Sequence, residues 1–179
     1  RIGHGPAIFS VLMRRARDIT PAGTWRQEKA TATVTLTFDD RHRRRLKLTD
    51  DSGEGFILDL QKTARIRDGD GLRLEDGAHI RVRAADEDVL DIVCRDKETI
   101  AKVAWHLGNR HTPVQVLSGG TLRIRYDHVL SDMVDLLGAD VVRCHAPFDP
   151  EAGAYAESHV HGHGHDRDHK NSKDQSHAS

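Results

Sequence analysis

Cysteine is nearly absent from this 179-residue chain: Cys94 and Cys144 are the only two, too few for a disulfide scaffold. Aromatic residues make up 4% of the chain, so a core must be built from Val, Ile, Leu and Ala. No apolar run approaches the ~18 residues that a membrane-spanning helix requires, which argues against a membrane partner. Ile8 to Met13 is apolar but short, and Arg14, Arg15 and Arg17 follow it. A secretory signal carries its positive charge before the apolar stretch and small residues after it. That order is missing, which reads as a soluble, cytoplasmic protein. The first residue is Arg1, so the numbering is expected to begin downstream of the translation start. Charge of one sign is lacking too. With 27 Lys+Arg against 28 Asp+Glu the formal net charge is -1, and no global field favours nucleic acid. Catalytic signatures are also missing: there is no His-Glu-X-X-His, no nucleophile elbow and no Gly-rich phosphate loop. The chain reads as a non-enzyme.

What is present is histidine. The 13 histidines outnumber Phe, Trp, Tyr and Met taken together. Six of them fall between His159 and His177, and His159, His161, His163 and His165 alternate with Val160, Gly162 and Gly164. Neutral imidazole suits nickel, copper and zinc. Gly removes backbone restriction, so two or more of these rings can wrap one ion. The irregular spacing and the mixed Gly and Asp content argue against a purification tag. Two further groups stand at predicted helix ends: His106 and His111 flank Leu107-Gly108-Asn109-Arg110, and Asp127-His128 opens a second helix. A lone histidine at a helix end usually serves as a local hydrogen-bonding residue, and spacing alone does not make these ligands.

The pattern predicts an α+β chain in three parts. Residues 1–84 form a small N-terminal all-β domain, residues 85–147 a βαββαβ domain of ferredoxin-like type, and residues 148–179 a disordered His-rich tail. Residues 1–20 read as irregular. Thr33 to Phe38 alternates with Val34, Leu36 and Phe38 on one face, and a basic strand runs around Arg43 to Leu48. Asp50-Asp51-Ser52-Gly53 and Asp68-Gly69-Asp70-Gly71 are turns between further short strands, so a small sandwich or open barrel is expected. Leu90, Ile92 and Cys94 share a strand face. Asp96 caps a helix with Ile100, Val103, Ala104 and Leu107 inside and Gly108 at its end. Ser118-Gly119-Gly120 turns a hairpin. The second helix carries Val129, Leu130, Met133, Leu136 and Leu137 and stops at Gly138, before a last strand at Val141 to Cys144. First and last strands are neighbours in this arrangement, which could bring Cys94 and Cys144 close; small buried hydrophobes is the plainer reading.

Longer motifs carry a resemblance. They are Asp40-Arg41-His42-Arg43-Arg44-Arg45, Trp105-His106-Leu107-Gly108-Asn109-Arg110-His111-Thr112-Pro113-Val114-Gln115, Asp127-His128-Val129-Leu130, and Ala146-Pro147-Phe148-Asp149-Pro150 through Tyr155. From about Pro21 to Tyr155 the chain resembles the UreE family of urease accessory nickel metallochaperones. The resemblance implies a partner-binding N-terminal β domain and a metal-binding, dimer-forming C-terminal domain. It implies a homodimer in which His111 of both subunits holds one Ni(II) at the dimer axis, with Zn(II) and Cu(II) as further candidates. Two-fold symmetry turns one residue per chain into two ligands. His128 matches an auxiliary histidine position, and His106 lies near the site in some relatives. Tyr126 stands where some relatives carry another histidine. The implied partners are the urease apoprotein and the accessory GTPase of the same maturation system.

Three other readings compete. Nickel or zinc storage without delivery would use the same residues. A catalytic zinc could in principle be held by His111, His128 and Asp127. A binding module could use Arg41, Arg43, Arg45 and Lys47 on one strand face, although Asp39, Asp40, Asp50 and Asp51 flank that run and favour a solvated, self-neutralised edge.

Overall fold

The computed structural model describes residues 13–152, and two sheets organise them. The first contains β1 (Arg14–Thr20), β2 (Ala32–Leu36), β3 (Arg45–Thr49), β4 (Gly55–Asp59), β5 (Gly71–Leu74) and β6 (His79–Ala84). Its strand order is β2-β6-β5-β1-β4-β3. Alternation puts Val34, Leu36, Phe56, Leu58, Leu72, Leu74, Ile80 and Val82 inside, where they form one apolar cluster with Ala16, Leu60 and Ile66. The two ends of the sheet nearly meet: Asp51, in the β3–β4 turn, donates its N–H to the Thr33 carbonyl at 2.8 Å and takes the Thr35 N–H at 3.0 Å. The open-barrel expectation describes this better than a sandwich.

β1 corrects one expectation, because residues 14–20 are a central strand and not irregular chain. Arginines surround its only fully buried residue, Ala16, and hide the alternation. The basic run is a second correction. Arg41 lies in a one-turn 3-10 helix (Asp40–His42), not on a strand, and is fully buried. Only Arg45 and Lys47 of that run belong to β3.

The second sheet comprises β7 (Asp86–Val93), β8 (Gln115–Val116), β9 (Leu122–Arg125) and β10 (Asp140–Pro147), ordered β10-β7-β9-β8. Helices α1 (Lys97–Asn109) and α2 (His128–Leu136) complete the strand-helix-strand-strand-helix-strand order read from the sequence. Asp96 caps α1 by accepting the Thr99 N–H at 2.8 Å, and Asp127 caps α2 by accepting that of Leu130 at 2.9 Å. Gly138 ends α2 at φ 84°, as expected of a glycine just past a helix. A separate core forms from Leu90, Ile92, Val103, Leu107, Leu122, Ile124, Val134 and Ala139.

Several finer expectations fail here. Ala104 is exposed, and on α2 the fully buried residue is Val134, while Val129 and Leu136 point outward. Helix α1 runs past Gly108. The cysteines are far apart in register: β7 and β10 pair antiparallel with Cys144 opposite Val89, five residues from Cys94, and both thiols are free. Neither is fully buried. Burial does push the Cys94 thiol above its ordinary value, with Asp96 adding to the effect. Finally, the first residues of the expected tail are packed, since Phe148 and Pro150 are buried. Among the described residues, no helix is long and apolar enough to cross a membrane.

Candidate metal centre

His111 owes its position to the way α1 stops. Its own N–H bonds the Gly108 carbonyl at 2.9 Å, and the next N–H, of Thr112, reaches back to the Leu107 carbonyl at 3.2 Å. That pair of bonds is the Schellman ending, which needs a left-handed residue at the first position beyond the cap. Glycine normally fills it; here His111 does, at φ 53°, the only non-glycine with positive φ among the described residues. Histidine tolerates this region better than bulky residues do, yet the conformation costs on the order of 1 kcal/mol. The imidazole thus stands where glycine would be the cheaper residue. The sequence points to Gly108 as the stop because glycine is the usual signal, and here the signal misleads by three residues.

The exposed His111 ring edges two clefts. One, of about 640 Å³, is lined by Asp88, Arg110, His111, Tyr126 and Asp127 among others. The second, of about 500 Å³, brings His111 together with Phe38 and His42, from the segment between β2 and β3, and with Pro150 and Glu151. The His42 Nδ1 lies 2.8 Å from the Phe38 carbonyl, which can only accept, so that nitrogen donates and the ring is held in place.

The other predicted ligands are less convergent. His128 is the exposed first residue of α2 and His106 packs edge-on against Trp105 at 4.9 Å, and neither lines these two clefts. His159, His161, His163 and His165 lie outside the described residues. Among the described residues, no three His, Cys, Asp or Glu side chains are gathered as a metal site within one chain. Tyr126 is covered by a cation, with the Arg143 guanidinium 3.5 Å from its ring centroid. Arg143 also grips Asp88 at 2.9 and 2.6 Å, and this hydrogen bonding holds the Asp88 carboxyl below its ordinary range. The sequence reading passed over His145, which stands directly opposite Asp88 in the β7–β10 register. Two-residue alternation along β10 was its one available signal.

It also missed the contact that joins the two halves. Asp149 receives Arg41 at 3.0 Å and Arg65 and Arg67 at 3.2 Å each, linking two motifs more than a hundred residues apart. Phe38 packs on Phe148 with centroids 5.3 Å apart, and Arg125 pairs with Asp39 at 3.0 Å.

Known proteins can be set beside this geometry. Residues 12–85 match the model of the UreE urease accessory protein N-terminal domain, and residues 87–178 match that of its C-terminal domain. A urease accessory protein UreE of Rhodopseudomonas palustris (strain HaA2) is 50% identical over 147 residues, covering 82% of this chain and 67% of the relative. One from Bradyrhizobium sp. (strain ORS 278) is 50% identical over 145 residues, with 81% and 68% covered. One from Beijerinckia indica is 45% identical over 146 residues, with 82% and 83% covered. Both halves of the chain, the second of them carrying the His111 helix end, therefore belong to the UreE family of urease accessory proteins.

Proposed function

We propose that this protein is a nickel metallochaperone that acts in urease maturation, binding Ni(II) and passing it to the urease apoprotein. The family is one of accessory proteins, not enzymes, and its name ties it to urease. The observation that carries the nickel reading is His111: an exposed imidazole, fixed in a conformation glycine would adopt more cheaply, at the mouth of two clefts. Among the described residues one chain does not gather three donors, and the reading takes the further ligands from a second copy. In a homodimer, His111 from each subunit supplies two imidazoles to one ion and leaves positions open. An incompletely enclosed ion can be released, whereas a closed four-ligand cage would hold it. His128 and His106 are assigned auxiliary roles, and His159, His161, His163 and His165 are assigned the gathering of further ions. Zn(II) and Cu(II) are expected to compete, because imidazole does not discriminate strongly among them. The accessory GTPase of the urease system is the second proposed partner, and the cytoplasm the proposed compartment.

The test is activation of urease apoprotein by nickel-loaded protein, in the presence of a chelator that removes free ions. The wild-type protein should restore activity and His111→Ala should not. Equal activation by both would refute the assignment. Nickel uptake without any transfer would favour storage instead.

A further inference from the structure

Pro147 to Glu151 leaves β10 as a strap gripped from both sides. On the N-terminal side Asp149 holds Arg41, Arg65 and Arg67, and Arg41 also donates to the carbonyls of Phe148 and, at 3.3 Å, Ile66. Burial pushes the Asp149 carboxyl up, but the guanidiniums of Arg65, Arg41 and Arg67 outweigh it and keep the group below its ordinary value. It is therefore ionised at neutral pH. Fully buried Arg41 needs that partner, because a desolvated charge left unpaired is strongly destabilising.

On the other side the strap grips the chain that follows His111. Asp149 donates its N–H to Gln115 Oε1 at 3.0 Å, Glu151 donates its own to the Val114 carbonyl at 2.7 Å, and the Val116 N–H reaches Glu151 Oε1 at 3.3 Å. Residues 114–116 need this help. β8 is only two residues long and lies at the sheet's edge, with β9 as its one strand partner. So short an edge strand has little hold of its own.

We infer that Asp149 is a positioning residue: by anchoring the strap in the N-terminal domain it fixes the 112–116 loop and, through it, the His111 ring at the metal centre. The metal half of this inference rests on the nickel reading above; the mechanical half does not. The N-terminal domain then contributes to metal binding without supplying a ligand.

Asp149→Asn in the full chain tests it, with one readout that needs no metal. Hydrogen exchange at the Thr112 and Val116 amides should speed by at least about tenfold more than at the amides of β4 and β6. Nickel affinity of the site lost in His111→Ala should fall about tenfold, the size seen when a ligand's supporting contact is removed. Asp149→Glu should recover part of both, and Arg65→Met, which keeps Arg41 paired, should show the same pattern more weakly if Asp149→Asn fails to fold. Unchanged exchange at 112–116 would overturn the inference, and so would faster exchange with wild-type nickel affinity. A wild-type protein that takes up no nickel would instead sink the metallochaperone reading, leaving the exchange data to decide the strap alone.

Discussion

The two sheets treat their apolar residues differently. Around the first sheet no large hydrophobic side chain is exposed among the described residues. All those that are exposed lie from Val93 onward: Val93, Trp105, Val116, Tyr126, Val129, Leu136 and Val142. Leu136 is 88% exposed and Trp105 64%. Polar bookkeeping follows the same divide. The first sheet's domain buries Arg41, Asp50 and Asp70 with partners for each, whereas among the described residues the second buries no charged side chain and its most enclosed pair is Arg123 with Asp91. The lesson is that the N-terminal domain leaves no large apolar side chain to be covered, although its buried Arg41 depends on Asp149 from the other half, whereas the C-terminal domain presents apolar surface to a second protein. This fits the proposed homodimer and its location.

Perturbing the two halves should therefore give different classes of effect. Phe56→Ala, in the first core, should cost ~3–5 kcal/mol of stability in a denaturant titration, because a fully buried ring leaves a cavity. Asp50→Asn should cost about 2 kcal/mol. Burial alone would raise the Asp50 carboxyl, but hydrogen bonds from Ser52, Arg14 and the Glu54 N–H hold it at about 2. Its folded value is depressed, so this stability is present above about pH 4 and is lost as pH falls toward 2. Acid unfolding of Asp50→Asn should be correspondingly shallower in that window. Leu136→Asp on the second domain should leave monomer stability within ~0.5 kcal/mol yet shift sedimentation toward monomer. Unchanged self-association would break the contrast between the halves. His111→Gly should raise stability by ~1 kcal/mol in thermal unfolding while abolishing the tight nickel site, since glycine relieves the left-handed backbone. A destabilised glycine variant would mean the ring packs and does not merely present itself.

Legibility in the sequence follows how local each determinant is. Period-two alternation found the strand around Val34, Asp/Gly turns marked off the short strands that follow it, and the caps at Asp96, Asp127 and Gly138 were readable because a cap is decided within four residues. β1 was hidden by arginines that solvent accepts on the outer face of a central strand. Arg41 looked like part of a solvated run because its partner Asp149 is 108 residues away, and no local pattern encodes so distant a pairing. For the same reason Phe148 to Glu151 read as tail although it is a packed strap. Within the proposed site, His111 was singled out by its resemblance to the family motif, but the left-handed backbone that presents it was not legible, because Gly108 supplied a more ordinary stop signal. His42 was legible only as a basic-run residue until the fold placed it across a cleft from His111.

The most direct test is calorimetric titration of nickel into the full-length protein and into His111→Ala, with His79→Ala as a control within the first sheet. Wild type and His79→Ala should show one tight ion for every two chains, and His111→Ala should weaken that step by roughly a hundredfold or more, beyond what supporting contacts alone contribute. A tight site filled once per chain, or one that His111→Ala leaves intact, would contradict the shared-imidazole account.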